Sequence, residues 1–340
     1  IRDFCLSRGL GDVYKRQIKN NPVFLAPMSG VTDFPFRSQV QKYGNNLVYS
    51  EMNASSEMVH LLKNKKQVFR NEFINNKSGP VAFQIAGWDP QIMSTAASLL
   101  EERGAEIIDI NMGCPAKKVV KRYAGSALMK DLSLATDIIQ AVVKATSLPT
   151  TLKMRLGRDE DTKNAPELAR IAENNGIKLI TVHGRTRQQL YKGLADWKFI
   201  SQVKQNVKIP VVANGDITSF DAAKKCLRES IADGVMVGRA CYGRPWFLSK
   251  LSRFLLEGTR GKDPDLIEQK NVLMSHIDTM FSYYGTELGC RLSRKHIAWY
   301  TKSLPNSCQF REKIFAKISF GEISSEIEKL FDHATEKLAA

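Results

Sequence analysis

One cysteine of this 340-residue chain lies in a setting that suits chemistry. Cys114 belongs to the segment Ile-Asp-Ile-Asn-Met-Gly-Cys-Pro-Ala-Lys-Lys (108–118), where a glycine and a proline restrict the loop around it. A free thiol has a pKa of about 8.5, so it is mostly protonated at neutral pH and can act as a general acid. Nearby basic residues favour instead a nucleophilic thiolate, and a plain buried cysteine is the third interpretation. The basic residues are Lys117, Lys118, Lys121 and Arg122.

A lysine in an apolar segment predicts a bound anion. Lys153 lies within Thr-Leu-Lys-Met-Arg-Leu (151–156), and a lysine buried in a strand is unfavourable unless it meets an anion. A reduced flavin is such an anion, because its ring carries negative charge at the N1/O2 edge. The alternative is a salt bridge inside the fold, for example to Glu51. Gln84 is predicted to hydrogen-bond the flavin ring, and His183 to contact the ring or its phosphate or else to be an ordinary core histidine.

Two glycine-containing turns predict a phosphate site. They are Ala-Asn-Gly-Asp (213–216) and Val-Gly-Arg-Ala (237–240). Their glycines let main-chain N–H groups approach a ligand closely, and Arg239 adds a guanidinium fork. Either turn alone is typical of an ordinary connection. Because both follow neighbouring predicted strands, the pair favours phosphate binding.

The elements that must position these residues form eight predicted strand–helix units. Short β-branched apolar runs, as expected of strands buried on both faces, alternate with amphipathic stretches. Helices are predicted over Leu132–Val143 and over Pro90–Glu102, the second capped by Asp89. Eight units predict an α/β fold of the (β/α)₈ TIM barrel type, and a doubly wound sheet is the alternative. The predicted strands are Val23–Ala26, Leu47–Ser50, Val81–Ile85, Ile107–Ile110, Thr150–Met154, Leu179–Val182, Pro210–Ala213 and Gly234–Val237.

Each predicted strand ends in an unusual residue, and a TIM barrel builds its active site from these ends. Packing alone favours apolar side chains there, so polar residues at so many ends indicate function. The residues are Pro27, Met28, Ser29, Glu51, Gln84, Asn111, Lys153, His183, Asn214, Gly215, Asp216, Gly238 and Arg239.

Composition limits the class of protein. Hydrophobic residues make up 43% and charged residues 25%, which is typical of a globular chain and excludes wholesale disorder. No apolar run is long enough for an ordinary transmembrane helix, so no membrane partner is expected. Six scattered cysteines without Cys-x-x-Cys or His-Glu-x-x-His spacing argue against a disulfide framework and a metal site. Reduced thiols and the lack of a secretory signal predict a cytoplasmic location.

The chain is strongly basic, with 50 Lys and Arg residues against 35 Asp and Glu residues and a net charge of +15. This excess favours a polyanionic partner such as nucleic acid, although charge alone is a weak functional signal. Residues from 251 onward hold 13 basic and 12 acidic residues, so most of the excess belongs to the earlier part. Any nucleic-acid contact by the later part therefore needs a local patch.

The pattern changes after about residue 250. A helix is predicted from Asp263-Pro264, followed by helices over Thr286–Tyr300, Ser307–Lys317 and Ile323–Leu338. We therefore predict a catalytic barrel over residues 18–250 and a helical bundle over 251–340. Residues 1–17 lack periodicity and are predicted to be a non-native or disordered extension.

Several segments, which together span about residues 18–318, resemble the tRNA-dihydrouridine synthases. The segment Asn-Met-Gly-Cys-Pro-Ala-Lys (111–117) is the most specific. Arg-Lys-His-Ile-Ala-Trp-Tyr (294–300) is similar to the bacterial dihydrouridine synthase B subgroup. The other segments are Leu-Ala-Pro-Met-Ser-Gly-Val-Thr-Asp-Phe-Pro-Phe-Arg (25–37), Val-His-Gly-Arg-Thr-Arg (182–187), Ala-Asn-Gly-Asp-Ile (213–217) and Asp-Gly-Val-Met-Val-Gly-Arg (233–239).

The resemblance implies an FMN enzyme that reduces the 5,6 double bond of a uridine in the tRNA D-loop, with NADPH as reductant. We expect a monomer, although the sequence itself does not determine the oligomeric state. A hydride would pass from flavin N5 to C6, and Cys114 would give a proton to C5. Ser29 departs from the alanine more common at that position, a small change that should preserve flavin binding. By motif match the FMN residues are Pro27, Met28, Ser29, Gln84, Lys153, Asn214, Gly215, Asp216, Gly238 and Arg239.

The same resemblance places tRNA against both parts of the chain. Asn111 would read the uracil edge, and Arg185 would hold the uracil or its phosphate. Lys117 lies beside the cysteine, while Arg294 and Lys295 would contact tRNA from the helical bundle. His296, Trp299, Tyr300 and Phe310 interleave with these cations and suit stacking on unpaired bases, although Trp299 and Phe310 suit the core better.

Two other functions remain open at this point. One is an FMN barrel that acts on a free pyrimidine, as dihydroorotate and dihydropyrimidine dehydrogenases do; such an enzyme has no need of a basic helical tail. The other is a protein that binds or folds tRNA without catalysis. The second predicts that Cys114→Ala leaves function unaltered.

Overall fold

The structure is a computed structural model that describes residues 20–44, 46–63 and 79–339. The predicted extension over residues 1–17 lies outside this range. Nine strands form one parallel sheet within it. They are β1 (Val23–Leu25), β2 (Val48–Tyr49), β3 (Asn53–Ala54), β4 (Val81–Ala86), β5 (Ile107–Met112), β6 (Thr150–Arg155), β7 (Leu179–His183), β8 (Val211–Asn214) and β9 (Gly234–Val237).

Strand pairing closes the sheet into an eight-stranded barrel, which confirms the predicted TIM-barrel fold. β1 pairs with β9 on one side and with β2 on the other, and a β2–β4 pairing completes the ring. β3 also pairs with β4, further along it, so β2 and β3 share one strand position. The prediction missed this interruption. Ser50 helps to explain it, because its hydroxyl accepts the Gln84 N–H where a ladder carbonyl would otherwise do so.

Helices cover the outside of the barrel. The predicted helix Pro90–Glu102 is confirmed to the residue, and the Asp89 carboxylate accepts the Ile92 N–H as its cap. Helices and strands together bury a core of Val, Ile, Leu, Met and Ala side chains. The helices of this part are α1 (Phe34–Gln41), α2 (Ser55–Lys63), α3 (Pro90–Glu102), α4 (Lys117–Val120), α5 (Leu132–Ala145), α6 (Ala165–Asn174), α7 (Trp197–Gln205), α8 (Phe220–Ser230) and α9 (Phe247–Glu257).

The C-terminal helices form a second core. Leu251 of α9 packs in the barrel core, so the barrel extends past the predicted boundary at residue 250. The next helix begins at Leu266 with Asp265 as its cap, rather than at the predicted Asp263-Pro264. These helices are α10 (Leu266–Tyr284), α11 (Thr286–Tyr300), α12 (Ser307–Phe315) and α13 (Phe320–Ala339).

The bundle meets the barrel along a surface that we call the seam, formed by α1, α10 and α11. The Phe36 ring of α1 lies 5.7 Å from the rings of both His276 and His296, measured between centroids. At the edge of this surface, Tyr242 and Trp299 stack with their centroids 4.0 Å apart. No helix in the described ranges is both long and apolar enough to span a membrane.

Candidate active site

A cavity of about 520 Å³, the mouth cavity, opens at the carboxyl ends of the barrel strands. All the residues predicted to bind FMN line it, because parallel strands bring their carboxyl ends to one side of the barrel. Asn111 and Cys114 also line it. The predicted residues in its wall are Pro27, Met28, Ser29, Gln84, Lys153, His183, Asn214, Gly215, Asp216, Gly238 and Arg239.

Lys153 projects from β6 into the mouth cavity. Its Nζ donates to Asn214 Oδ1 at 3.1 Å, rather than to Glu51 as the alternative interpretation expected. Burial, together with the nearby Arg155 guanidinium, lowers the pKa of Lys153 to about 8. An anion in the cavity would favour the protonated ammonium.

His183 lies in the cavity wall, and Arg185 lies directly behind it, 3.3 Å from the imidazole Nε2. Burial and four surrounding cations, Lys153 first, hold the pKa of His183 well below its ordinary value, so the imidazole is neutral. The Arg185 guanidinium donates to Asp216 Oδ2 at 2.6 Å and to the Gly193 carbonyl at 2.6 Å. Arg185 is only 2% exposed and does not line the cavity. It therefore supports the Asp216 turn, and the structure does not bring it to the position expected for a uracil contact.

The Cys114 loop is fixed by hydrogen bonds to its main chain. Asn111 Oδ1 accepts the Cys114 N–H at 2.9 Å, and the Cys114 carbonyl accepts the Ser126 hydroxyl at 2.9 Å. Gly125 has φ +61°, and a Cβ there would lie 2.7 Å from the Cys114 carbonyl oxygen. The loop therefore requires glycine at this position.

Cys114 lies where two cavities meet. Besides the mouth cavity, it lines the side cavity, of about 560 Å³, together with Trp88, Lys118 and Arg122. Cys114 is partly exposed, so it is not a plain buried cysteine, whereas Cys226 is buried. A thiol at this junction can meet a group that enters from solvent.

The mouth cavity fits a phosphate-bearing flavin. Among its described residues, three cationic side chains face one carboxylate, that of Asp216. Gly215 has φ +115°, and a Cβ there would lie 2.8 Å from His183 Cδ2, so only glycine allows this turn to pack there. The volume lies within the usual range for small-molecule sites, about 300–1,000 Å³. The three cations are Lys153, Arg155 and Arg239.

A third cavity, the basic cavity, lies next to the cysteine loop and measures about 390 Å³. The predicted tRNA residue Lys117 belongs to it, and its described lining holds five cationic side chains and no carboxylate. Phosphate groups are the natural ligands of such a surface. The five cations are Lys117, Lys121, Lys130, Arg158 and Arg187.

The bundle residues predicted to contact tRNA differ in where the structure places them. Lys295 donates to the Gly30 carbonyl, in the loop that follows β1, so it reaches the edge of the mouth. Arg294 is half-buried, and its Nε has no hydrogen-bond partner in the described part of the chain. The prediction that interleaved aromatic rings stack on bases is wrong for His296 and Tyr300, which are at most 4% exposed because the barrel or neighbouring helices cover them. Phe310 is 5% exposed, which confirms the core role favoured for it.

Among the mouth-cavity residues that sequence reasoning missed are Arg155, Tyr191 and Tyr242. Arg155 follows Lys153 by two positions, and this period of two on a strand was a usable signal. Its guanidinium donates to the Gly113 carbonyl at 2.8 Å and so links β6 to the cysteine loop. The exposed Tyr191 ring lies between Arg155 and Arg239, 5.6 and 5.8 Å from their guanidinium carbons. Its loop carried no recognisable pattern.

Comparison with known proteins places the chain in a family. Residues 24–335 match the family described as dihydrouridine synthase (Dus). The chain belongs to the dihydrouridine synthase family. It is therefore an enzyme of the oxidoreductase class, and the resemblance seen in the sequence is confirmed.

Curated relatives carry the same name. The "Probable tRNA-dihydrouridine synthase" of Rickettsia conorii is 50% identical over 289 residues, which are 85% of this chain and 87% of that protein. The "tRNA-dihydrouridine synthase B" of Pasteurella multocida is 44% identical over 297 residues, or 87% of this chain and 88% of that protein.

Solved structures of distant sequence share the barrel. The 6-hydroxypseudooxynicotine amine oxidase of Pseudomonas geniculata superimposes with a TM-score of 0.54 at 14% identity, covering 71% of this chain and 48% of that chain. A 2-naphthoyl-CoA reductase gives a TM-score of 0.54 at 13% identity, over 71% of this chain and 50% of that chain. The chain thus spans about half of these longer proteins. At such identities the likeness shows the fold alone.

Metal binding finds no support in the described ranges, where no cluster of three or more His, Cys, Asp or Glu side chains could hold an ion.

Proposed function

We propose that the protein reduces the 5,6 double bond of a uridine in the tRNA D-loop, with FMN as cofactor and NADPH as reductant. The position of Cys114 carries the proposal. Its thiol stands between the mouth cavity, which gathers the predicted cofactor residues, and the side cavity. A pyrimidine turned out of its stack can enter there with the thiol beside it.

FMN bound in the mouth cavity would supply the hydride that saturates the double bond. Lys153 and Arg239 would hold its negative charges, and Gly215 and Gly238 would let the main chain approach its phosphate. Pro27, Met28, Ser29, Gln84, His183, Asn214 and Asp216 would complete the FMN site.

Cys114 would hold a proton on Sγ and deliver it to C5 of the uracil, as a general acid. Asn111 lines the same cavity and would present its amide to the uracil edge. Arg155 ties β6 to the cysteine loop and so would maintain the distance between the Lys153 and Cys114 side chains. Solvent that reaches the partly exposed cysteine would restore its proton.

The tRNA backbone would lie over the basic cavity, which is next to the cysteine loop. Its described lining contains no carboxylate, although Arg158 pairs with Asp159 at 3.4 Å beside it. The other four cations, Lys117, Lys121, Lys130 and Arg187, would therefore contact the phosphates. Lys295 and Arg294 would extend this contact onto the bundle. We expect the enzyme to act in the cytoplasm, where its tRNA substrate would be found, and as a monomer.

Mass spectrometry of tRNA tests the function directly. A bacterial strain without its own dihydrouridine synthases should regain dihydrouridine at one D-loop position when this chain is expressed. Purified enzyme should reduce unmodified tRNA with NADPH but leave free uracil and dihydroorotate unchanged. Turnover of a free pyrimidine without turnover of tRNA would contradict the proposal and favour the free-pyrimidine dehydrogenase.

Salt dependence tests the tRNA surface. If phosphates bind the basic cavity, tRNA affinity should fall steeply with salt, and each cation removed should reduce the log–log slope by about one. Lys117→Ala and Lys121→Ala are the variants of choice, with Lys329→Ala, an exposed lysine of α13, as control. Equal slopes for all three proteins would exclude this surface.

A further inference from the structure

A buried carboxylate beneath the mouth cavity has no role in the mechanism above. Asp109 lies in β5, is fully buried and does not line the cavity. Its Oδ2 accepts the Gln84 side-chain amide at 2.6 Å, and its Oδ1 accepts the Thr151 hydroxyl at 2.6 Å. Burial of a carboxylate is unfavourable without such partners, so its presence needs an explanation.

The hydrogen bonds continue from Asp109 to the cysteine loop. Gln84 Oε1 accepts the Asn111 Nδ2–H at 2.7 Å. Asn111 Oδ1 then accepts the main-chain N–H groups of Gly113 at 3.1 Å and Cys114 at 2.9 Å. We call Asp109, Gln84 and Asn111, with the two N–H groups, the amide chain.

The direction of the amide chain is not set by the two amides themselves. A carboxamide can be turned over, which exchanges its donor and its acceptor. A carboxylate only accepts, so Gln84 must offer Asp109 its nitrogen. Gln84 must then offer Asn111 its oxygen, and Asn111 must turn its oxygen to the loop. In the opposite direction, the Asn111 nitrogen would face two N–H donors.

We propose that Asp109 is a positioning residue for uridine reduction: it fixes the direction of the amide chain and, through Asn111, the main chain that carries the Cys114 thiol. This inference rests on the proposed function. Asn111 Oδ1 is saturated by two donors and Nδ2 spends one hydrogen on Gln84. The Asn111 amide therefore has one N–H, and no acceptor, left for a pyrimidine.

Thr151 allows a specific test. Asp109→Asn and Thr151→Val hardly change the shape of the side chains, so they alter only which groups donate and which accept hydrogen bonds in the amide chain. In Asp109→Asn the new amide can still accept from Gln84, provided that its own N–H groups find the Thr151 oxygen. The hydroxyl hydrogen can then turn to the Ile108 carbonyl, 3.5 Å away. In Thr151→Val the carboxylate still only accepts, so the direction holds. In the double variant the N–H groups of the new amide have no acceptor at residue 151. They can then find one only if the Gln84 and Asn111 amides turn over, which would place the Asn111 nitrogen against the N–H groups of the cysteine loop.

We expect kcat per bound flavin to fall by less than about fivefold in each single variant, and by about fiftyfold or more in Asp109→Asn/Thr151→Val, as an unsatisfied buried donor implies. The KM for tRNA should change by less than about twofold, because the thiol and not the tRNA surface is displaced. Burial raises the pKa of Asp109 to about 6, so assays at pH 8 keep the carboxyl ionised.

Two double variants serve as controls. Asp109→Asn/Thr151→Ser keeps a hydroxyl at residue 151 and should recover the rate of Asp109→Asn. Thr181 is a buried threonine of β7 that makes no hydrogen bond to Asp109, Gln84 or Asn111 in the described chain, and Asp109→Asn/Thr181→Val should show only the product of the single effects. If Asp109→Asn/Thr151→Val also gives only the product, the proposal is wrong.

Folding does not limit the test. If Asp109→Asn/Thr151→Val does not fold, Asp109→Leu alone should lower kcat per bound flavin by about tenfold or more with the KM for tRNA nearly unchanged. A kcat within about twofold of the original would overturn the proposal. Failure of the proposed function itself is recognised separately, because the unaltered enzyme would then form no dihydrouridine.

Discussion

Buried polar groups at the mouth cavity and at the seam differ in their hydrogen bonding. Beneath the mouth, Asp109, Gln84 and Asn111 satisfy one another, and Lys153 meets Asn214. At the seam, the Nε2 atom of His276 and both ring nitrogens of His296 are buried without a hydrogen-bond partner in the described chain. Aromatic contacts surround them instead, and the two rings are 4.6 Å apart.

This difference indicates what each region needs. Directional bonds beneath the mouth hold side chains in one geometry, which chemistry requires. The seam requires only that two surfaces stay together, and neutral imidazoles can serve there as flat apolar rings. Changes in the mouth should therefore alter the reaction or the cofactor, whereas changes at the seam should alter stability and its dependence on pH.

The largest effect is expected at Cys114. Cys114→Ala should slow uridine reduction by about 10²–10⁴-fold, because a general acid is lost, while flavin content and tRNA affinity remain. The measurement is single-turnover formation of dihydrouridine by the pre-reduced enzyme. Cys308→Ala, at an exposed cysteine of α12, is the matched control and should react normally. A near-normal rate for Cys114→Ala would refute the acid role and favour a non-catalytic tRNA-binding protein.

Next in size is the ion pair behind the mouth. Asp216→Ala leaves the Arg185 guanidinium buried without its carboxylate, which should reduce the free energy of unfolding by about 3–5 kcal/mol. Asp221→Ala breaks an exposed pair with Arg260 and should change it by less than about 1 kcal/mol. Urea titration of both variants measures the contrast, and equal losses would show that the Arg185 pair is not special.

Lys153 should separate binding from folding. Lys153→Met removes a buried charge whose pKa burial already lowers, so thermal stability should be maintained or increased. The purified protein should nevertheless contain at least about tenfold less flavin, because the cation for the anionic ring is lost. Lys117→Met, at an exposed lysine, should keep its flavin. Full flavin content in Lys153→Met would remove Lys153 from the cofactor site.

Much of the barrel could be predicted because its strands are buried on both faces. Such strands appear as continuous apolar runs, and the predicted run Gly234–Val237 is the observed β9. The site followed from the barrel rule, since parallel strands bring Gln84, Lys153 and Asn214 to one end whatever lies between them. The helix Thr286–Tyr300 was also predicted to the residue.

What could not be predicted depends on which surface covers which. His296 and Tyr300 resembled an exposed aromatic patch, because helical periodicity gives the faces of α11 but not the partner of each face. Arg185 appeared available to a substrate, and only the folded chain reveals that Asp216 and two loop carbonyls occupy it. The amide chain was equally hidden, since nothing in the local sequence joins Gln84 to Asp109.

The smallest effect is expected at the seam, where pH should act through two histidines. Burial lowers the pKa of His276 to about 3 and holds that of His296 well below its ordinary value. In the unfolded chain each histidine has a pKa of about 6.5. Below that pH the unfolded state therefore binds protons that the folded state does not bind. Stability should therefore fall as the pH decreases from about 6.5, by about 2 kcal/mol at pH 5 for His276, and His296 should act in the same direction.

Asp33 also contributes to the pH dependence of the free energy of unfolding, so the effect of the histidines is best measured with variants. Burial raises the pKa of Asp33 to about 7, which makes the folded state more favourable as the pH falls through that value. His276→Phe keeps a ring beside Phe36 and removes one titration. Its free energy of unfolding should lose about 2 kcal/mol less than that of the original chain between pH 7 and pH 5. Parallel profiles for the original chain and His276→Phe would mean that the seam histidines take up protons without opening the fold.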